Sequence, residues 1–129
     1  MCAGATRREQ AVCDVAMSLQ YASDHLTAAV RLLASSEDQL VERLQAAWDE
    51  QVQMVWMKPC LTRELLREFR DLWSHYTAPS DDRTSTKLRD LTREEAVLAI
   101  GRLVSLANSV AVAAAAPGVQ QLATLADLA

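Results

Sequence analysis

Residues 48–76, WDEQVQMVWMKPCLTRELLREFRDLWSHY, decide how this chain folds. They hold all three tryptophans, the single phenylalanine and one of the two tyrosines. Pro59 interrupts the stretch, because proline disfavours helix at the residue before it and supplies no backbone donor. On its carboxyl side Leu65, Phe69, Leu72 and Tyr76 recur at three- and four-residue spacing, with Leu66 and Trp73 alongside. That is the broad buried stripe of a helix. On its amino side Val41, Leu44, Trp48, Val52 and Val55 form a second seam, flanked by Leu40, Ala47 and Met54. Two helices turned about a proline corner therefore carry most of the large apolar area. The last turn before the corner, Met54-Val55-Trp56-Met57, is apolar on every side and requires a cover.

Working outward toward the amino terminus, Ser35 and Ser36 break the pattern. Ser36 with Gln39 has the spacing of a capping box, and Glu37 and Asp38 suit the positive end of a helix dipole, so the second helix is expected to start near residue 37. Before it, Val12, Val15, Ala16, Leu19, Ala22, Leu26, Ala29, Val30 and Leu33 form a narrow seam sustained to about residue 34. Thr6 and Glu9 have capping-box spacing at its start. Such a helix is about 40 Å long, the full height of a bundle.

Toward the carboxyl terminus, Thr62 is the expected cap of the third helix, with Leu61 and Leu66 placed for a hydrophobic staple. Residues 77–91 are polar, long enough for a mobile or crossing loop. Thr92 and Glu95 open a fourth helix with another capping box, and from Ala96 to Ala116 the only charge is Arg102. Pro117-Gly118 ends it, leaving 119–128 for a short fifth helix or a frayed tail. The expected architecture is all-α: one helical domain over 1–129, a four-helix, mostly antiparallel bundle. Its helices are expected at 7–34, 37–57, 62–76 and 92–116, with a long loop before the fourth and a short C-terminal helix.

Composition agrees and also narrows function. Half of the 129 residues are hydrophobic and only three are glycine, which favours helix, and this length can bury about two-thirds of its unfolded surface. A net charge of −4 makes phosphate backbones and acidic membranes poor general partners. Cys2, Cys13 and Cys60 are odd in number and widely spaced, as expected of reduced thiols. The first residues lack an apolar run of signal-peptide length. The expected location is cytoplasmic.

No residue pattern supplies a catalytic or nucleotide-binding signature, and the chain is expected not to be an enzyme and to need no cofactor. Asp71 and His75 share a helix face, and Asp24 with His25 could add ligands, but neither histidine completes a Glu-x-x-His pair, so no metal site is expected. Cys60 precedes a helix start, where the dipole could activate a thiol; the default reading is a small buried hydrophobe. Arg63, Arg67 and Arg70 form a basic stripe, but Glu64, Glu68 and Asp71 interleave at pairing distance, Arg67 with Asp71 and Glu64 with Arg67, so nucleic acid is not an expected partner. The fourth helix approaches membrane-spanning length, yet alanine supplies little transfer energy and Arg102, Asn108 and two serines are costly in lipid.

What remains is an excess of apolar helix surface. Met54, Trp56, Met57 and Trp73 at the proline corner are the expected partner- or ligand-binding residues. Gly101, Ser105, Ser109 and Ala113, four apart on the fourth helix, form a small-residue strip that admits a second helix. The leading expectation is a small intracellular protein-interaction module, of adaptor, inhibitor or regulator type, forming a homodimer through the fourth helix. The alternative is a ligand-binding or sensor bundle with a pocket lined by tryptophan and methionine, and the third a small helical enzyme or metal-binding bundle.

Overall fold

A computed structural model of the chain describes residues 6–35, 39–80, 85–115 and 122–128. Four helices dominate them: α1 (Arg7–Ser35), α2 (residues 40–56), α3 (Arg63–Tyr76) and α4 (Arg93–Ala115). No strand is present among the described residues; two isolated antiparallel bridges, Thr62 with Leu122 and Thr77 with Leu88, tie loops to the helix ends.

Side-chain partners give the direction of each helix. Arg43 donates to the Leu33 carbonyl at 2.9 Å, His25 meets Gln51 at 2.7 Å and the Tyr21 hydroxyl donates to the Met54 carbonyl at 3.3 Å, so α1 and α2 are antiparallel. The Trp48 ring contacts Trp73 while Trp56 contacts Phe69, so α2 and α3 are antiparallel as well. Arg102 lies over Tyr76, and Ser105 shares a cleft with Glu68, which reverses α4 against α3. The bundle is thus mostly antiparallel, with α2 and α4 running the same way.

The most extensive helix pair is α1 with α4. Ala22 and Ala29 of α1 are fully buried, as are Ala96 and Ala99 of α4. Small side chains let helix axes approach toward the lower end of the usual 8–10 Å, and Leu19, Leu26, Leu103, Leu106 and Val110 fill the remaining space. Arg43 supplies the donor that one of the last α1 carbonyls would otherwise lack.

Three expected details differ. The second helix begins at Leu40, later than 37, with Gln39 at the cap position making no side-chain capping bond; Ser36 lies outside the described residues. Thr62 occupies the cap position of α3 but makes no side-chain capping bond; it is buried, and its backbone bridges to Leu122. The short fifth helix reduces to a single 3₁₀ turn, Leu125–Leu128, preceded by an extended segment in which the Ala123 amide donates to the Leu61 carbonyl at 2.9 Å. That segment straps the proline corner: Ala123, Cys60 and Leu61 are all buried. The capping partner Glu9 of Thr6 has no described side chain.

The largest departure is inside α2. Residues Leu40–Ala47 and Gln53–Trp56 are α-helical, but Trp48–Val52 form a π-helical turn. A π turn inserts one extra residue, which sets everything beyond it back by about 100°. In an unbroken α-helix Trp56 would stand about 80° around from Trp48; with the insertion the two face nearly the same way. Trp56 is therefore turned toward α3 and half-buried there.

The described ends of the polar connection 77–91 are fastened to each other. Ala78 donates to the Lys87 carbonyl and Arg89 to the Tyr76 carbonyl. Gln45 of α2 then clasps the returning strand of chain, its amide donating to the Thr86 carbonyl and its carbonyl accepting from the Leu88 amide, both at 2.9 Å. The Thr86 hydroxyl donates to Asp49 on the π turn. At the far end the expected capping box is formed: Glu95 accepts from the Thr92 amide at 3.1 Å, and the Glu95 amide donates to the Thr92 hydroxyl at 3.2 Å.

These Thr92 bonds, the backbone one foremost, hold the Glu95 carboxyl below its usual range. Because the folded value is depressed, the contribution is fully present above the unfolded pKa of about 4.3 and is lost as pH falls through the lower folded value. Glu95→Ala should therefore melt below the wild type at pH 7, and the two melting temperatures should converge on acidification below pH 4. A difference that persists unchanged in acid would assign the effect to something other than the ionised cap.

Candidate functional site

Trp73 is the middle of an aromatic row. Its ring stacks on Trp56 with centroids 4.7 Å apart and planes 6° from parallel, and on Trp48 at 6.0 Å and 19°. Phe69 tilts against both Trp56 and Trp73 at 6.1 and 6.2 Å. Trp48 is fully buried, and its indole N–H donates to the Thr77 hydroxyl at 2.9 Å, so the one polar atom of the ring is satisfied. The row lies where α2 and α3 stand apart, and the indoles fill the gap between them.

The four residues expected at a corner site differ in exposure. Trp73 is buried among the rings, and Trp56 is half-buried on top of it. Met54 and Met57 are 41% and 59% exposed. Trp56 and Trp73 border an open cleft of about 600 Å³ between α3, the 77–91 loop and the C-terminal strap, with Ser74, Thr77, Arg89 and Leu125 among its walls. Neither Arg89 nor the strap was suggested by local sequence pattern, since both reach the cleft from far along the chain.

The strip on α4 is also redistributed. Residues four apart on an α-helix drift by about 40° per step, so Gly101, Ser105, Ser109 and Ala113 spread over about 120°. Gly101 and Ser105 are exposed, whereas Ser109 and Ala113 are half-buried and Ala113 packs on the core. The face centred on Gly101 holds Val97, Leu98, Val104, Ser105, Asn108 and Val112, all exposed. Between 97 and 112 it carries no charge. A side chain added at Gly101 would meet nothing within 4 Å. The single charge of the helix body, Arg102, is turned to the edge of this face and lies 5.4 Å from the Tyr76 ring centre.

The titratable candidates are held apart. His25 is bonded to Gln51 and rests edge-on against Tyr21 between α1 and α2, while His75 packs on Tyr76 at the end of α3. Asp24 accepts from Gln20, and Asp71 pairs with Arg70 at 3.7 Å; the expected pairs of Arg67 with Asp71 and Glu64 with Arg67 are not the ion pair that forms. Among the described residues no group of three or more possible metal ligands converges. Cys60 is buried, with its thiol 3.8 Å from the Val55 carbonyl. Burial pushes that thiol up to about 11, against a smaller opposing effect of Lys58, so it is protonated at neutral pH and not the activated nucleophile that a helix start could make.

No family model, curated protein or solved structure matches this chain.

Proposed function

We propose that this chain is a small intracellular protein-interaction module that self-associates through the outward face of α4. The observation that carries the reading is a charge-free helix face with Val97, Leu98, Val104 and Val112 in solvent and an open position at Gly101 in its middle. Leu98 is 65% exposed and Val112 63%, on a helix about 34 Å long. A contiguous exposed apolar patch of this kind marks an interaction surface, and a lone helix face matches its own copy about a two-fold axis.

By length and composition α4 is also apolar enough to cross a membrane. Insertion would strip Ala96, Ala99, Leu103, Leu106, Ala107 and Val110 from the core they share with α1, and it would take Arg102 away from Tyr76. A protein partner covers the outward face without that loss. The solution mass tests the reading: light scattering should give twice the chain mass at tens of micromolar. A monomer at all accessible concentrations would sink self-association.

A further inference from the structure

The cleft beside the tryptophan row is a second, independent site, and the geometry points to its occupant: a small planar aromatic carboxylate. The ring would stack on Trp56, the outer member of the row, and the carboxylate would meet Arg89. Three observations converge. The cleft, at about 600 Å³, is within the 300–1,000 Å³ range of small-molecule sites. Its apolar wall is the stacked Trp56–Trp73 pair, in which Trp73 is covered by Trp48 and Trp56 and the half-buried Trp56 is the outer ring, so a third ring can extend the stack on Trp56. Among the described lining residues Arg89 is the only ionisable side chain, and no described carboxylate pairs with it.

Arg89 is also well anchored for this role. Its own amide donates to the Tyr76 carbonyl, and the preceding Leu88 amide is held by Gln45, so the backbone that presents the guanidinium is fixed from two sides. A guanidinium presents a fork of donors that matches a carboxylate in two bonds, which sets the orientation of the ligand as well as attracting it. Thr77 is less available, because its hydroxyl already accepts from Trp48; Ser74 offers a free hydroxyl rim.

The test uses the full chain and 2-naphthoate, followed through the three indole N–H signals in a proton–nitrogen NMR spectrum. The expected result is saturable movement of the Trp56 and Trp73 signals with a Kd below about 1 mM. The neutral analogue 2-naphthalenemethanol should bind about tenfold more weakly, the worth of one charge-assisted contact. Arg89→Gln should remove that preference while leaving the helical circular dichroism unchanged, since the residue is exposed and its backbone bond is retained. Arg63→Gln, an exposed arginine at the other end of α3, should keep it. Absence of saturable shifts at Trp56 and Trp73, or an acid preference that survives Arg89→Gln, would overturn the assignment.

Discussion

Trp48→Ala should lower stability by about 4 kcal/mol, the largest loss expected of any single substitution here. The side chain is fully buried, stacks on Trp73 and closes the gap between α2 and α3. Truncating it removes the transfer energy of an indole and leaves a cavity that the π turn, fastened to the 77–91 loop through Asp49 and Gln45, is not free to collapse into. It also deprives the buried Thr77 hydroxyl of its donor. Trp48→Phe keeps an aromatic body but deletes the N–H, and should cost about 1–2 kcal/mol. Urea unfolding separates the two: a loss of 4 kcal/mol is a large part of the 5–15 kcal/mol by which a domain is stable, and moves the midpoint by about 2 M. A Trp48→Ala variant within 1 kcal/mol of the wild type would mean that the aromatic row is not the centre of the fold.

Gly101→Leu should have two effects of opposite sign. Within one chain it should stabilise, because glycine inside a helix costs close to 1 kcal/mol relative to leucine and the added side chain meets nothing within 4 Å. Between chains it should be disruptive, because in the proposed dimer the glycine would be the point where the partner helix comes nearest, and a bulky residue inserted into a packed interface costs about 1–3 kcal/mol. At concentrations where the wild type is monomeric, the variant should melt a few degrees higher. Its self-association should be weaker by about a hundredfold, the upper end of that cost. Few surface substitutions raise the stability of a chain while removing its assembly, so the paired outcome discriminates between an interface and a merely exposed helix.

The helices were legible because each has an uninterrupted apolar period: Val15, Leu19, Ala22, Leu26, Ala29 and Leu33 are all buried on α1, as their spacing requires. The Thr92–Glu95 box was legible for the same local reason. The π turn was not, since Asp49, Glu50 and Gln51 read equally well as the polar face of an α-helix; only the demand that Trp48 and Trp56 both reach Trp73 selects the extra residue. Nor did local pattern show that residues 122–124 return to strap Leu61 and Thr62, or that Gln45 holds the loop forty residues later in sequence, because such pairings depend on distance in space. The exposed face of α4 is wider than its small residues alone suggest, because only the burial of Ala99, Leu103, Leu106 and Val110 on the opposite side defines it. At the corner, Trp56 and Trp73 were singled out by bulk alone, and their companion Arg89 lies beyond anything spacing could connect to them.

Sedimentation equilibrium on the wild type and Gly101→Leu, from low micromolar to submillimolar concentration, tests the α4 interface most directly. The expected result is a wild-type mass that rises to that of a dimer and a Gly101→Leu curve displaced to about a hundredfold higher concentration, so that the variant is monomeric where the wild type is already dimeric, both with undiminished helix content. A wild type that remains monomeric throughout, or two proteins that dimerise alike, would contradict it.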